Sequence, residues 1–197
     1  SGVRRLVYLS SQGAQHATGT GPIKGSHHQE KRFRAMDLDL TILRPGYFFD
    51  NYFSTLGLIK AQGSTGGAIT PDARFTQIAT ADIGAIAAQE LMRADAKGTE
   101  ILDLYGPTDL TMSEATAILG QALGKPDLAY VQFPDAGYVD ALVHAGLSQH
   151  FAAELLELAH GLNQGLVTGS TPRSERNTGK TTLADCAPHF AAAYAAL

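Results

Sequence analysis

The chain has 197 residues, enough for one hydrophobic core or for one core with a small lobe. Hydrophobic residues make up 44% of it and charged residues 17%, which is typical of a folded globular protein and excludes a disordered one. The net charge of −4 gives no electrostatic reason to expect nucleic acid as a direct partner.

Cysteine content and hydropathy indicate the compartment. Cys186 is the only cysteine, so no intramolecular disulfide can form, which fits a reducing compartment. No run of about 18 apolar residues exists, so the sequence predicts no membrane span. The N-terminal stretch Ser1-Gly2-Val3-Arg4-Arg5 is not expected to be a signal peptide, because its apolar part is far too short. We therefore expect a cytoplasmic protein.

The first forty residues predict a strand, a helix and a second strand. The apolar run Leu6–Leu9 predicts a buried parallel strand. Ser26 is the expected N-cap of a helix over residues 27–36 that buries Phe33 and Met36. A second strand follows at Leu40–Leu43. This spacing is typical of a βαβ unit, in which the two strands are parallel.

The segment after the second strand organises the rest of the chain. Arg44 ends the strand, Pro45 stiffens the backbone, and Gly46 lets a flat ligand approach the main chain. Exposed aromatics, Tyr47 and Phe48, then lead into a predicted helix over residues 51–60. Ligands of parallel sheets bind at the carboxyl ends of the strands, so this segment is a candidate wall of a crevice. A plain strand-to-helix turn with core-packed aromatics is the alternative.

The later sequence predicts mainly helices. Glu154 and Glu157 are assigned to the solvated side of one of them. The remaining elements are extended pieces at 68–70 and 75–78, a helix over 83–92 capped by Thr80 or Asp82, a strand at 100–105, a helix over 113–123, a strand at 130–133, helices over 135–145, 149–164 and 183–197, and a polar loop at 168–182. The pattern predicts an α/β fold: the C-terminal part of a doubly wound parallel sheet in residues 1–133, with a mostly helical substrate-side lobe in residues 134–197.

Ser10 and Ser11 are candidate ligand-binding residues because they follow the first strand, next to Pro45 and Gly46 of the second. Together with Tyr47 they would surround a slot that suits a flat ring held by a few hydrogen bonds. Ordinary polar residues at a strand end are the alternative.

Three other patterns predict no site. The glycines at 19, 21 and 25 lie too far beyond the first strand, with the wrong spacing, for a phosphate-binding turn. Gly179–Thr181 resembles the end of a nucleotide-binding loop but has no strand before it. His27, His28 and Glu30 have no second cluster that would complete a metal site, so no metal is expected.

Several motifs, in order, resemble one family. They are Val7-Tyr8-Leu9-Ser10-Ser11, Glu30-x-x-Phe33, Leu40-Thr41-Ile42-Leu43-Arg44-Pro45-Gly46-Tyr47-Phe48-x-Asp50-Asn51, Ile78-Ala79-Thr80-Ala81-Asp82-Ile83-Gly84, Leu104-Tyr105-Gly106-Pro107 with Leu110-Thr111, and Leu123-Gly124-Lys125. This ordered set resembles the NmrA-like branch of the atypical short-chain dehydrogenases.

The resemblance implies a Rossmann-type sheet that binds NADP or NAD, as in quinone and triphenylmethane reductases and in a redox-sensing regulator of the family. By position, Ser10 and Ser11 would lie beside the nicotinamide, and Pro45, Gly46 and the Tyr47–Phe48 pair would close over it. The expected partner is a small-molecule substrate, and a homo-oligomer is possible.

Two departures from the family matter. The chain begins where the family's later half begins, so we expect a truncated form without the glycine-rich half of roughly 80 to 100 residues, in which cofactor binding can be lost. The Tyr-x-x-x-Lys pair is also missing, since Pro22 and Ser26 stand at the matching positions, so no catalytic residue is assigned.

The sequence leaves three hypotheses open. The first is an NAD(P)H-dependent reductase of a small carbonyl or quinone-like acceptor, of which this chain is a C-terminal fragment. The second is a non-catalytic NAD(P)-sensing regulatory or protein-binding module. The third is a structural remnant, which predicts an exposed sheet edge at Leu6–Leu9.

Overall fold

The site is expected at the carboxyl ends of the strands of the central sheet. The computed structural model describes residues 2–197. Its three strands are β1 (Arg5–Leu9), β2 (Asp39–Pro45) and β6 (Thr99–Leu104), in the order β1-β2-β6. All pairs are parallel, as the βαβ pattern predicts, and Leu43 of β2 lies between Leu9 and Leu102.

The first strand is less buried than its sequence predicts. Residues 5–8 of β1 are half-buried and Leu9 is 50% exposed. The reason is topological, because β1 pairs only with β2 within residues 2–197. One edge of β1 is therefore unpaired in the described part of the chain, as the third hypothesis predicts.

The first helix starts earlier than predicted and turns a different face inward. A 3₁₀ turn at Gly21–Ile23 runs directly into α1 (Lys24–Arg34), so Ser26 lies in the first turn and caps nothing. Met36 lies beyond the helix and is 54% exposed, so its predicted burial is wrong. Glu30 is the buried residue of the helix instead.

The aromatic segment forms a short strand before it becomes helical. Its parts are β3 (Tyr47–Phe48), a 3₁₀ helix (Phe49–Thr55) and α2 (Leu56–Gln62). Strand β5 (Phe75–Ile78) pairs in parallel with β3 and antiparallel with β7 (Asp109–Leu110). The predicted extended piece at 68–70 is wrong, because the strand is β4 (Thr65–Gly67), which pairs with β8 (Tyr130–Gln132).

The remaining helices lie close to their predicted positions. They are α3 (Thr80–Met92), α4 (Met112–Ala122), α5 (Asp135–His144), α6 (Gln149–Asn163) and α7 (Leu183–Ala196). Neither predicted cap holds for α3, since its N-cap is Ala79 and no side chain caps it. Thr111 caps α4 through a reciprocal pair of hydrogen bonds with Glu114.

The largest core cluster joins the early aromatic segment to the late helices. It combines Phe49, Tyr52, Phe75, Leu119, Leu162, Leu183 and Phe190, among others. The division at residue 133 stays a prediction. Within residues 2–197, no helix is both long and apolar enough to cross a membrane.

Candidate functional site

A cavity of about 190 Å³ opens where the carboxyl ends of β1 and β2 meet α6. Such a volume is below the roughly 300 Å³ of a typical drug-sized site, so it suits one ring better than a whole dinucleotide. The lining residues are Ser11, Ile23, Gly46, Tyr47, Phe48, Asn51, Leu158, Leu162 and Val167.

Four of the six residues proposed from the sequence line this cavity, and two do not. Ser11, Gly46 and the Tyr47–Phe48 pair are in its wall. Ser10 is buried behind them, where its hydroxyl donates to Glu30 Oε1 at 2.6 Å. Pro45 is the last residue of β2, and its carbonyl accepts a hydrogen bond from the Gln12 amide. The structure thus brings the expected strand ends together, and whether they bind a cofactor stays a prediction.

Tyr47 is held by packing on its ring. Its ring centroid lies 5.8 Å from that of Tyr52 and 5.7 Å from that of Phe75, both of which are buried. Tyr47 and Phe48 are half-buried rather than exposed as predicted. Burial raises the pKa of Tyr47 well above its usual range. The hydroxyl is therefore neutral at any physiological pH.

Gly46 is required by a contact that the sequence does not reveal. A Cβ atom on Gly46 would lie 2.4 Å from the carbonyl oxygen of Thr76 and 2.5 Å from its methyl group. The chain after β2 thus passes directly against β5, and the absence of a side chain permits this crossing. Gly46 serves packing as well as the cavity wall.

A buried ion pair fixes the elements around the cavity, and the sequence analysis missed it. Arg44 Nε lies 2.8 Å from Glu30 Oε1, and Arg44 Nη2 lies 2.6 Å from Glu30 Oε2. Both side chains are 4% exposed. An arginine inside a buried strand needs a counterion. The sequence therefore contained a signal for this ion pair, because Glu30 in the preceding helix could supply the carboxylate that a buried arginine needs.

The loop after β1 that contains Gly19 and Gly21, called the glycine loop, packs against α6. The Gly19 amide donates to Glu157 Oε1 at 2.7 Å, and a Cβ on Gly21 would lie 2.1 Å from the Glu154 carbonyl oxygen. Lys24 pairs with both carboxylates, at 3.0 and 2.8 Å. The prediction that these two glutamates are simply solvated is therefore wrong. An amide already bound to a carboxylate does not suit a phosphate, so the loop does not fit a phosphate-binding role.

No metal centre is found in the described part of the chain. Residues 2–197 contain no group of three or more His, Cys, Asp or Glu side chains that could hold an ion. His27 Nδ1 is instead 2.8 Å from the Ala14 carbonyl oxygen, and Glu30 is taken up by the ion pair.

The sequence matches no protein-family model and no curated protein, whereas several solved structures have a similar fold. An NADPH-dependent quinone oxidoreductase from Escherichia coli superposes with a TM-score of 0.80 at 24% identity, over 95% of this chain and 68% of that protein. A nucleoside-diphosphate-sugar epimerase from Staphylococcus aureus gives 0.76 at 19% identity, over 95% and 66% of the two chains.

A triphenylmethane reductase from Citrobacter sp. gives a TM-score of 0.71 at 18% identity, over 97% of this chain and 77% of that protein. The quinone oxidoreductase has also been solved with NADPH, and the triphenylmethane reductase with NADP(H). This chain spans about two thirds of the quinone oxidoreductase. It shares the fold of the NmrA-like atypical short-chain dehydrogenases, as its ordered motifs indicate.

Proposed function

We propose that this chain forms the nicotinamide and acceptor side of an NAD(P)H-dependent reductase whose substrate is a small carbonyl or quinone-like ring. One observation carries the proposal: a ring-sized cavity lies at the carboxyl ends of β1 and β2, where Ser11, Gly46, Tyr47 and Phe48 meet. Solved proteins of the same fold include two that were crystallised with NADP(H).

The cavity walls suit the two rings of such a reaction. The strand-end wall, with Ser11 and Gly46, is the proposed place of the nicotinamide ring. The helical wall, with Leu158 and Leu162 of α6, offers the apolar surface that a flat acceptor needs. The cofactor would supply the hydride, and the protein would hold the two rings in register and keep water away.

The phosphates of the cofactor find no cradle in the described residues around this cavity. The glycine loop packs on α6, and Lys24 is paired with Glu154 and Glu157. The fit is therefore to the ring portion of a dinucleotide, and cofactor affinity of this chain is expected to be weak.

Lys24 is already paired with Glu154 and Glu157, which favours a second candidate function, a non-catalytic NAD(P)-sensing or protein-binding module. Pro22 and Ser26 stand where the family places its catalytic Tyr and Lys, and Lys24 is not available to replace the lysine. Such a module would hold the ring without turning it over.

Two measurements separate these candidates. Calorimetric titration of the chain with NADPH and with nicotinamide mononucleotide tests whether the cavity holds the ring. Oxidation of NADPH in the presence of duroquinone, followed at 340 nm, tests turnover. Binding with turnover supports the reductase, and binding without turnover supports the sensing module. If neither ligand binds, the proposed ring site is wrong.

A further inference from the structure

We infer that the α6 side of the cavity selects an acceptor ring that is uncharged and carries alkyl groups. Leu158 and Leu162 are the residues to which we assign this selection. The inference deepens the proposed function and rests on it for the role of the ligand as an acceptor. The preference itself is a binding property of the chain, so it is measured without any cofactor.

The two sides of the cavity differ in polarity. The polar side chains of the lining belong to the segments that follow β1 and β2, and they are Ser11, Tyr47 and Asn51. The opposite side, called the aliphatic face, consists of side chains from α6, from the residues after it and from the 3₁₀ turn packed on it, namely Ile23, Leu158, Leu162 and Val167. Within residues 2–197, no charged side chain lines the cavity.

The spacing of two leucines along α6 produces the centre of the aliphatic face. Leu158 and Leu162 are four residues apart, so they lie on the same side of the helix. Leu162 is only 6% exposed and belongs to the largest core cluster, and Leu158 packs against that cluster. The core therefore holds both side chains in place, and a ligand meets a preformed apolar surface.

The acidic residues of the same helix are held away from the cavity. Glu154 and Glu157 both pair with Lys24, and Glu157 also accepts a hydrogen bond from the Gly19 amide. Neither glutamate lines the cavity. Since these carboxylates are already bound elsewhere, α6 offers no charge to a ligand.

Contacts near its C-terminal end prevent α6 from turning another face inward. A Cβ atom on Gly161 would lie 2.6 Å from the Gly19 carbonyl oxygen, so the helix lies directly against the glycine loop. At the end of α6, the Asn163 side chain donates to the Ala68 carbonyl oxygen at 3.1 Å and accepts from the Thr70 amide at 2.8 Å. Rotation of the helix would break these contacts.

This arrangement defines the class of acceptor. Burial of a charged group without a partner is strongly unfavourable, whereas each buried methyl group removes apolar surface from water. Alkyl groups directed at Leu158 and Leu162 therefore increase affinity, and charged groups decrease it. The ring that fits is uncharged and alkyl-substituted, such as an alkylated benzoquinone.

Two ligands built on the same ring test the preference. p-Xylene carries a methyl group at each end of its ring and terephthalate a carboxylate at each end, so turning the ring round does not replace a carboxylate by a methyl group. In calorimetric titrations, we expect p-xylene to bind at least about a hundredfold more tightly, since nothing on the aliphatic face compensates a buried charge. Nuclear Overhauser effects should connect the methyl groups of bound p-xylene with those of Leu158 and Leu162.

A pair of matched variants tests the assignment to α6. Leu158→Asn keeps nearly the same shape but places an amide on the aliphatic face, so it should weaken p-xylene binding at least about fivefold. Leu156→Asn is the control, because Leu156 is half-buried on the same helix and does not line the cavity. It should leave the affinity unchanged. Circular dichroism checks that both variants fold, and the Overhauser contacts of the wild-type chain identify the site independently of either variant.

The outcomes separate this inference from the proposed function. If p-xylene contacts Leu158 and Leu162 but NADPH does not bind, the aliphatic face stands and the reductase is wrong. If NADPH is turned over with duroquinone while Leu158→Asn and Leu156→Asn bind p-xylene equally well, the reductase stands and the assigned selection is wrong. Terephthalate binding as tight as that of p-xylene, or no binding of p-xylene, also overturns the inference.

Discussion

The Glu30 carboxylate and the Arg44 guanidinium form a two-point ion pair in the interior, and Arg44 lies two residues before Gly46 of the cavity lining. The pair joins α1 to β2, and the Ser10 hydroxyl at the end of β1 adds a third element by donating to the same carboxylate. Arg34 contributes a further contact at 3.1 Å from Glu30 Oε2. The strand ends that carry Ser11 and Gly46 are thus positioned by charge as well as by hydrophobic packing.

We predict that Arg44→Met destabilises the protein by about 3–5 kcal/mol, because it leaves the Glu30 carboxylate buried with only part of its compensation. The double variant Glu30→Leu/Arg44→Met should lose less than the sum of the two single variants. Urea unfolding followed by circular dichroism measures these free energies.

A matched surface pair provides the control for this prediction. Arg74 lies 2.6 Å from Glu114 with side chains 53% and 44% exposed, so solvent screens the pair and Arg74→Met should cost far less stability than Arg44→Met. Equal losses for Arg44→Met and Arg74→Met would show that burial of the pair is not what makes it important.

Stability should fall in acid through three carboxylates. Burial disfavours the charged forms of Glu30 and Glu90, but hydrogen bonds from arginines outweigh it and lower each pKa below the usual 4.5. Hydrogen bonds from Arg176 lower the pKa of Glu100 to about 2. As pH falls, the unfolded chain takes up protons before the folded one. The stabilisation is therefore complete above about pH 4.5 and is lost progressively toward pH 2.

The free energy of unfolding, measured from pH 7 to pH 2.5, checks this prediction. Glu100→Gln should be less stable at pH 7 and should show a shallower fall in acid, because one of the three titrating groups is gone. A constant free energy of unfolding between pH 5 and pH 3 would contradict the assignment of depressed pKa values.

Gly46→Ala should destabilise the protein and disturb the cavity, since the new methyl group would overlap the Thr76 carbonyl oxygen. We expect a loss of about 1–3 kcal/mol, the usual cost of overpacking. Gly84→Ala is the matched control. Gly84 lies in α3 with nothing near its Cβ position, so alanine there should stabilise the helix by about 1 kcal/mol. A neutral Gly46→Ala would mean that the contact with Thr76 relaxes freely.

Parts of the fold that depend on local pattern were predictable from the sequence. The strands β1, β2 and β6 and the long helices α5, α6 and α7 lie within a residue or two of their predicted bounds. Apolar runs and helical periodicity determine these elements. The motif Thr-x-x-Glu at Thr111–Glu114 also marks the start of α4 at Met112, although the prediction placed that start one residue later, at Ser113.

The errors have a common physical cause, which is contact with distant parts of the chain. Met36 is exposed because the helix ends before it, and Glu30 is buried because Arg44, fourteen residues later, supplies its counterion. Gly46 is required by Thr76, and Glu157 is drawn inward by Lys24 and the Gly19 amide. The candidate cavity was predictable in its strand-end wall, whereas α6, which forms the opposite wall, could not be placed by local pattern.

Substitution of the buried Asp103 carboxylate should release the polar loop at 168–182 from strand β6. Asp103 of β6 is fully buried, and its Oδ2 accepts hydrogen bonds from the backbone amides of Ser170 and Thr171 at 2.7 and 2.9 Å and from both hydroxyls at 3.0 and 3.1 Å. Asp103→Asn keeps the shape but weakens these bonds and buries an amide group. We expect a loss of about 1–3 kcal/mol.

Hydrogen exchange measured at individual backbone amides tests whether the loop is released. In Asp103→Asn, the amides of Ser170 and Thr171 should exchange at least tenfold faster, roughly the effect of losing one charge-assisted hydrogen bond. Ser170→Ala is the control, since it removes one hydroxyl and leaves both amide bonds, so its amides should stay protected. Exchange that rises equally across β2 and the loop would instead mean that Asp103 stabilises the whole sheet, because global unfolding exposes all amides together.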